Sequence, residues 1–462
     1  MKVLLVNSPI HRESQDYDDT LPPLGLWYIA TNLKKQGIRV EILDTISKKL
    51  SFEDIVNYIE NNDFSHIWFN VFSTNHQLVK ELIESISKKV VFLLWWPYLK
   101  TEALVALKWE TVNDLFLIIW EGDFIISDIV NNSLKEPPIF VEKWKKIYRV
   151  DKHSVYYPSN LDKVDLDRSL FYEKTFNKLT GEPEANIITS RWCIYDCSFC
   201  GAASSLNLSS WPRLRSIDNI EQEIIEIKTT NPQIKSIRIL DDLFLRNQRV
   251  VREASQMFSR VWLDWRAMAH IQTFKQITAQ DLHALQKSWC CELSIGIESW
   301  DQEILNKINK PNTIQEIIST ITEILMAGIS VKWYFIVWFP WETEESMKKT
   351  YELAKILKDI SYDCVWDFRV SAFQFRPYHG TKLYNLLKDN GSTLHNISAQ
   401  KLSLNWIAEF DFSWWNFSQV SDETLLRFLE QIRWLNNQNK ILPYISSLQV
   451  PHNWIFFVGL SH

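Results

Sequence analysis

Glycine is scarce in this sequence and tryptophan is abundant. The 462 residues include 10 glycines and 22 tryptophans, whereas glycine at its usual share of about 7% would supply roughly 32 residues. Many tryptophans stand where a turn or a close backbone approach favours glycine, among them Trp95, Trp96, Trp120, Trp192, Trp300, Trp338 and Trp341. Two interpretations stay open: most of these codons are UGA and are read as glycine in the source organism, or the indoles are genuine. Trp265, in an ordinary strand context, is a candidate for a genuine tryptophan.

Long apolar runs and an excess of one charge are also missing. The longest apolar run, from Val90 to Leu99, is far below the ~20 residues that span a bilayer. The 50 basic and 56 acidic residues give a formal charge of -6, which provides no electropositive surface for nucleic acid or an anionic membrane. We therefore expect a soluble, cytoplasmic protein that acts on a small molecule or a peptide.

Cysteine is sparse but clustered. Cys193, Cys197 and Cys200 follow a C-x3-C-x2-C spacing, and the other three cysteines are Cys290, Cys291 and Cys364. This pattern is typical of metal ligands and buried thiols, not of a secreted disulfide framework. Three soft thiolates suit iron and sulfide and would leave the fourth iron of a cluster open. A structural zinc with a distant fourth ligand is the alternative.

Hydrophobic periodicity predicts an α/β fold that begins with a doubly wound, Rossmann-like parallel sheet over residues 1–135. Five short apolar strands alternate with amphipathic helices in this part. The predicted strands are Lys2 to Asn7, Ile38 to Leu43, His66 to Val71, Val90 to Leu94 and Leu115 to Ile119. Ligands of such sheets bind at the carboxyl ends of the strands, and the loops expected there contain Ser8, Ser73–Thr74, Trp95–Trp96–Pro97 and Glu121–Gly122.

A second βα series is predicted after a polar linker. Residues 136–184 read as the linker, residues 185–381 as a partial (β/α)6 barrel, and residues 382–462 as a mostly helical region for substrate or accessory contacts. The cysteine loop directly follows the first strand of the second series. Active-site loops of βα barrels lie at the carboxyl ends of the strands, so this loop is expected to carry chemistry.

The motifs resemble those of the cobalamin-dependent radical S-adenosylmethionine enzymes over about residues 1 to 380. Ser294 to Trp300 is similar to the GIESG strand of that family, and Trp338 to Thr343 is similar to its GFPGET turn. The resemblance implies that Cys193, Cys197 and Cys200 bind a [4Fe-4S] cluster whose open iron binds S-adenosylmethionine. It also implies further contacts to S-adenosylmethionine, from Tyr195, Phe199, Asp242, Glu298, Trp338 and Trp341. A helix cap or a salt bridge is the alternative role for the pair Asp241 and Asp242.

The first sheet is similar to the cobalamin-binding domain of the same family. Pro22 to Leu26 matches a motif that follows the first strand there. The resemblance implies that cobalamin lies against Ser8, Pro23, Gly25, Ser73, Thr74, Trp95, Trp96, Pro97, Glu121 and Gly122. The D-x-H-x-x-G motif is missing from the sequence, so no histidine is expected on the lower face of cobalt.

The resemblance implies a radical enzyme of the methyltransferase type. Its expected reaction is methyl transfer to an unactivated carbon through a 5'-deoxyadenosyl radical, with an electron donor such as flavodoxin or ferredoxin. A radical cyclase or rearrangement enzyme would use the same parts. A catalytically dead cobalamin-binding protein is the third possibility, and it gains weight if the tryptophans are genuine, because indoles would crowd both cofactor sites.

Overall fold

The computed structural model describes residues 1–8, 21–72, 75–96, 109–111, 113–170, 175–208, 210–362, 368–378, 380–392 and 416–437. Within these ranges the chain forms two seven-stranded sheets and a short two-stranded ribbon. The strands are β1 Lys2–Asn7, β2 Arg39–Asp44, β3 His66–Asn70, β4 Val91–Trp96, β5 Asp114–Trp120, β6 Phe140–Glu142, β7 Lys145–Val150, β8 Thr175–Phe176, β9 Pro183–Ile187, β10 Ser190–Arg191, β11 Arg213–Leu214, β12 Ser236–Ile239, β13 Asp264–Ala269, β14 Cys290–Glu298, β15 Ser330–Val337 and β16 Phe368–Gln374.

Helices alternate with the strands along most of the described chain. They are α1 Leu24–Lys35, α2 Phe52–Asn61, α3 His76–Ser85, α4 Ile125–Val130, α5 Ile217–Thr230, α6 Gln248–Val261, α7 Ile271–Phe274, α8 Ala279–Lys287, α9 Gln302–Lys307, α10 Ile314–Met326, α11 Glu344–Tyr362, α12 Lys382–Asp389 and α13 Asp422–Asn437. Side-chain caps define several starts: Ser51, Thr278 and Thr313 each form a capping box, which satisfies backbone donors that the helix itself cannot pair.

The first sheet has the strand order β2-β1-β3-β4-β5-β7-β6. All neighbouring pairs are parallel except β6 with β7. Its central strands are apolar and buried, as expected for a parallel sheet covered on both faces by helices. The predicted doubly wound architecture is therefore confirmed.

The first sheet extends beyond residue 135, where the sequence predicted a linker to begin. Strands β6 and β7 form a hairpin inside the predicted linker 136–184, and β7 pairs in parallel with β5. Strand β7 has the sequence Lys-Lys-Ile-Tyr-Arg-Val, so charged residues interrupt the apolar ones and no apolar run marks it as a strand. Its apolar residues Ile147, Tyr148 and Val150 are nevertheless buried.

The second sheet contains the predicted series of six parallel strands. Its order is β16-β15-β14-β13-β12-β9-β8, with β8 added antiparallel at the edge. The sheet is curled as a half-barrel, which confirms the predicted partial barrel. A buried ion network crosses it: Arg266 binds Glu184 and Glu292, and Glu292 also binds Arg369.

The described part of the carboxyl-terminal region is helical. In α13, Leu425, Phe428 and Ile432 are buried in the core of the second sheet, and the helix packs against α11 and β16. Among the described residues, no helix has both the length and the apolar character that crossing a membrane would require.

Candidate functional site

The carboxyl-terminal edges of the two sheets face each other across a cavity of about 380 Å³. The first sheet contributes residues that follow β1, β3, β4 and β5, and the second sheet contributes residues that follow β9 and β12. The lining includes Asn7, Asn70, Trp95, Glu121 and Asp123 from the first sheet, and Ile188, Arg191, Trp192, Leu240 and Asp242 from the second. Both sheets thus present their ligand-binding edges to one space.

Five of the residues predicted to face cobalamin line this cavity: Pro23, Gly25, Trp95, Glu121 and Gly122. Ser8 is fully buried, and its backbone N–H donates to Asn70 Oδ1 at 2.7 Å. Trp96 ends β4. Ser73, Thr74 and Pro97 lie outside the described residues.

Indoles occupy much of the cavity wall. Trp68, Trp95, Trp120 and Trp192 all line it, and Trp95 Nε1 donates to the backbone oxygen of Trp120. A Cβ at Gly122 would lie 2.7 Å from the Trp68 ring, so only glycine fits beside this indole. Trp120 and Trp192 have left-handed backbones, with φ of 75° and 68°, a conformation that is costly for a bulky L-residue.

The cysteine loop is closed at its base by the ribbon of β10 and β11, in which Arg191 lies opposite Arg213. Inside the loop, the Tyr195 N–H donates to Cys193 Sγ at 3.4 Å, and the Cys200 N–H donates to the Cys197 oxygen at 3.1 Å. Burial raises the pKa of the Cys193 thiol to about 11 and that of Cys200 to about 12. These thiols therefore need a bound cation to become thiolates at neutral pH, and such a donor set suits iron.

The three thiols of the loop lie near one another. Cys197 raises the pKa of the Cys193 thiol, and Cys197 and Cys193 both raise that of Cys200. Neighbouring thiols of this kind are ligands for the irons of a cluster and also for zinc. The similarity to known proteins decides between the two.

Glu298 ends β14 beside a buried cation. Its backbone is left-handed, with φ of 71°, at a register shift between β14 and β15. Lys310 Nζ donates to Glu298 Oε1 at 2.9 Å, and both side chains are buried. Burial alone would lower the pKa of Lys310, but Glu298 and the nearby thiols of Cys197 and Cys200 raise it above its ordinary value. A fixed positive charge therefore lies beside the cysteine loop.

The turn after β15 packs against the cysteine loop. The rings of Phe199 and Phe339 make an edge contact with their centroids 5.7 Å apart. Trp338 is buried with φ of 71°, and its N–H donates to Glu342. Trp341 is half-buried under Lys307, whose Nζ is 5.3 Å from a ring centroid. The predicted residues Phe199, Trp338 and Trp341 thus come together at one edge of the second sheet.

The two neighbouring aspartates after β12 differ in role. Asp241 accepts hydrogen bonds from the Thr189 N–H and the Ser190 hydroxyl, both at 2.7 Å, a structural role that differs from the helix cap or salt bridge considered from the sequence. Asp242 lines the cavity. Desolvation by the surrounding protein, and secondarily the charge of Asp241, raises the pKa of Asp242 to about 6, although the residue as a whole is exposed to solvent.

Four residues at the site were not predicted from the sequence. Lys310 pairs with Glu298, and the buried His270 ring stacks on Tyr195 with centroids 3.9 Å apart. Arg191 and Arg213 bind carboxylates of the first sheet. The position of Arg191 two residues before Cys193 was a usable signal, whereas nothing in the local sequence marks Arg213.

Comparison with known proteins relates the chain to one superfamily. Residues 187–354 match the profile of the radical SAM superfamily. An uncharacterized methyltransferase of Pyrococcus horikoshii is 26% identical over 88% of this chain and 85% of its own. The cytidylyl-2-hydroxyethylphosphonate methyltransferase of Streptomyces wedmorensis is 22% identical over 77% of either chain.

Two solved structures resemble this chain in fold over most of its length. The cobalamin-dependent S-adenosylmethionine radical enzyme OxsB superposes with a TM-score of 0.61 at 15% identity, over 84% of this chain and 60% of its own. The radical S-adenosylmethionine methyltransferase TsrM from Kitasatospora setae, solved with cobalamin and a [4Fe-4S] cluster, gives 0.58 at 15% identity, over 85% of this chain and 79% of its own. The resemblance inferred from the sequence is confirmed, and the three predicted cofactors agree with those of this superfamily and these structures.

Proposed function

Because residues 187–354 form a radical SAM domain in a chain that shares the two-sheet fold of cobalamin-dependent members, we propose that this protein is a cobalamin-dependent radical methyltransferase. The proposed reaction is transfer of a methyl group to an unactivated carbon of a small molecule or peptide. Methyltransferase relatives that cover most of the chain support this choice over other radical reactions.

One observation carries the proposal: the entry to the cysteine loop and the carboxyl-terminal edge of the first sheet line the same cavity. Arg191 and Trp192, which lead into the loop, line this cavity and contact Glu121 directly, at 2.6 Å and 3.3 Å. Two cofactors that must exchange a group or flank one substrate need such opposed, fixed surfaces.

The residues present fit the three groups to different degrees. Cys193, Cys197 and Cys200 would hold the [4Fe-4S] cluster. Glu298, Asp242 and Phe199 would contact S-adenosylmethionine, and Pro23, Gly25 and Gly122 would lie against cobalamin. When bound, these groups supply a 5'-deoxyadenosyl radical and a transferable methyl group.

The protein's own residues position and shield these groups. Lys310 neutralises the buried Glu298 at 2.9 Å, so this carboxylate keeps a fixed orientation from which it can accept hydrogen bonds. Phe199 and Phe339 form an apolar wall beside the cysteine loop. This wall would exclude water from the site, which protects a reactive carbon-centred species.

The test uses the anaerobically reconstituted full chain with S-adenosylmethionine, cobalamin and dithionite. We expect 5'-deoxyadenosine to form, and isotope-labelled methyl to move from S-adenosylmethionine to cobalamin. Cys197→Ala should abolish the first product. Cys291→Ala is the matched control, because this thiol donates to the Trp265 oxygen at 3.3 Å in the barrel core and should leave both products unchanged.

Each other outcome identifies an alternative. Deoxyadenosine without methyl transfer to cobalamin would favour a radical cyclase or rearrangement enzyme. Formation of neither product, with cobalamin bound, would favour the catalytically dead protein. The indoles of Trp120, Trp192 and Trp338 are the observation that favours a catalytically dead protein, since they narrow the sites where the cofactors would bind.

A further inference from the structure

A buried ionic cluster joins the two sheets at the rim of the cavity. Arg191 Nη1 lies 2.6 Å from Glu121 Oε2 and 2.7 Å from Asp123 Oδ2, and Arg191 Nη2 donates to Asp123 Oδ1 at 2.8 Å. Arg213 Nη2 donates to the other oxygen of Glu121. We call these four residues the ionic clamp.

The ionic clamp holds both ends of the cysteine loop. Arg191 and Arg213 lie opposite each other in the ribbon of β10 and β11, and the loop that carries the three cysteines runs from residue 192 to residue 212 between them. Glu121 and Asp123 belong to the single turn that follows β5 of the first sheet. One acidic turn of the first sheet therefore forms ion pairs with both ends of the cysteine loop, which belongs to the second sheet.

The energetics of the ionic clamp favour a positioning role. Side-chain exposure is 3% for Glu121, 8% for Asp123, 9% for Arg213 and 21% for Arg191, so three of the four groups are buried and Arg191 is partly so, and the two positive charges balance the two negative ones. Buried ion pairs of this kind add little net stability, because desolvation offsets their attraction, but they specify one arrangement. The paired contacts of the Arg191 guanidinium add directional precision.

We propose that the ionic clamp sets the distance and the orientation between the cysteine loop and the edge of the first sheet that would face cobalamin. This proposal rests on the proposed function. Small errors of placement between reacting groups reduce rates steeply. A clamp at the base of the loop would hold that separation constant, whereas the three cysteines alone fix only the cluster within its loop.

The experiment compares Asp123→Asn and Arg191→Lys with wild type in the full-length holoprotein. Pulsed electron paramagnetic resonance measures the distance between the reduced cluster and Co(II) cobalamin. We expect one narrow distance in wild type and a distribution at least twice as broad in both variants. Iron content and cobalamin affinity should stay within about threefold of wild type, and Asp123→Glu, which keeps the charge, should restore the narrow distance.

Asp151→Asn is the matched control. Asp151 is also buried and ion-paired, to Arg149 Nε at 3.1 Å, but it follows β7 and does not line the cavity. It should leave the distance unchanged. An unchanged distance in Asp123→Asn with both cofactors bound would overturn the clamp, as would equal broadening in Asp151→Asn.

A separate measurement distinguishes the failure of the clamp from the failure of the proposed function. If wild type binds no cobalamin, the proposed function fails. Hydrogen exchange on the cofactor-free chain then tests whether the ionic clamp connects the two sheets. Asp123→Asn should raise the rate of amide exchange at residues 120–124 and at residues 190–193 together, while β1 keeps its protection. If the exchange rates of the two segments do not rise together, the ionic clamp does not connect the sheets.

A different observation supports a second proposal, on tryptophans with left-handed backbones. Within the described ranges, ten residues other than glycine have positive φ, and five of them are tryptophan: Trp120, Trp192, Trp262, Trp289 and Trp338. Positive φ is uncommon outside glycine and is favoured, where it occurs, by asparagine and aspartate. A tryptophan side chain does not stabilise the left-handed backbone in this way. The side chain therefore does not explain why half of these residues are tryptophan.

The exposed members of this set are not held by the core, although their two rings are tilted against each other with centroids 6.3 Å apart. Trp262 caps α6 in the left-handed conformation and is 69% exposed, and Trp289 follows α8 with φ of 69° and is 48% exposed. Both stand where a helix commonly ends on glycine. Trp265, by contrast, is fully buried in β13, and its Nε1 donates to the Ser288 oxygen at 2.9 Å.

We infer that glycine is the native residue at positions 120, 192, 262, 289 and 338, and that Trp265 is native tryptophan. Peptide sequencing by mass spectrometry of protein from its natural host should find glycine at the first five positions and tryptophan at position 265. Tryptophan at positions 262 and 289 of the natural protein would overturn the inference, whether or not that protein is active. Glycine at Trp265 would overturn the distinction between the two groups.

Discussion

At the scale of single residues, backbone conformation separates tryptophans that the fold uses from those that it tolerates. Trp262 has φ of 57° at the end of α6. A left-handed backbone costs an L-residue about 1–2 kcal/mol, and glycine avoids this cost. We expect Trp262→Gly to raise the free energy of unfolding by about 1 kcal/mol in urea denaturation, after the greater flexibility of the unfolded chain is allowed for.

Trp265→Ala is the control for that measurement. This side chain stacks on Phe258 with ring centroids 4.4 Å apart and fills the barrel core. Its removal should lower the free energy of unfolding by about 3–5 kcal/mol. A loss of stability in Trp262→Gly would show that the exposed indole contributes more than its backbone strain costs.

The residues that the sequence identified are those with local signals. The cysteine spacing marks Cys193, Cys197 and Cys200, and the strand motif marks Glu298. Their partners carry no such signal, because Lys310 reaches Glu298 only through the turn after α9, and Arg213 reaches Glu121 only when the two sheets meet. Contacts between distant segments depend on the assembled fold, which a local pattern does not contain.

At the scale of elements, apolar strands were predictable and polar ones were not. Strand β15, Ser330–Val337, belongs to the predicted second βα series and is recognisable in the sequence because it is mostly apolar and bordered by turn residues. Strand β7 was missed, since Lys145, Lys146 and Arg149 give it the composition of a linker. Pairing with β5 decides its conformation, so tertiary context overrides the local pattern.

The ion network across the second sheet makes a prediction at this scale. Glu292 in β14 is fully buried and binds Arg266 at 3.3 Å and also Arg369. Glu292→Ala would remove this carboxylate from Arg369 and leave Arg266 with Glu184 alone, so we expect a loss of about 3–5 kcal/mol in the free energy of unfolding. Glu323→Ala, on the exposed face of α10, is the matched control and should change it by less than about 0.5 kcal/mol.

Strand β3 makes a prediction about pH. Burial, with the amino terminus as a lesser cause, lowers the pKa of His66 to about 4, from an ordinary value of 6.5. The unfolded chain therefore binds more protons than the folded one between these two values, and stability falls as the pH drops from about 6.5 to about 4. The loss from this group amounts to roughly 3 kcal/mol.

His66→Phe isolates that contribution, because every other titrating group is common to both proteins. The free energy of unfolding of wild type minus that of the variant should be constant above about pH 7 and should fall by roughly 3 kcal/mol toward pH 4. Urea denaturation at a series of pH values measures it. A difference that does not vary with pH would mean that His66 titrates normally in the folded protein.

At the scale of the whole molecule, the proposed function assigns the cluster to the second sheet and cobalamin to the first. The cysteines belong to a loop of the second sheet, whereas Gly25 belongs to α1 beside the first and lines the shared cavity. Under the proposed function, loss of one cofactor should therefore leave the binding of the other largely intact. The triple variant Cys193→Ala, Cys197→Ala, Cys200→Ala should lose its iron and bind cobalamin within about threefold of wild type.

Gly25→Leu is the reciprocal variant. A Cβ at Gly25 meets no other atom within 4 Å, so the larger side chain should enter the cavity without disturbing the fold. We expect cobalamin affinity to fall at least tenfold while iron content stays unchanged, and Gly25→Ala to have a smaller effect. Equilibrium dialysis and iron analysis measure both quantities. Loss of iron in Gly25→Leu, or of cobalamin in the triple cysteine variant, would mean that the two sheets form one interdependent site, because a change confined to one edge would then have altered binding at the other.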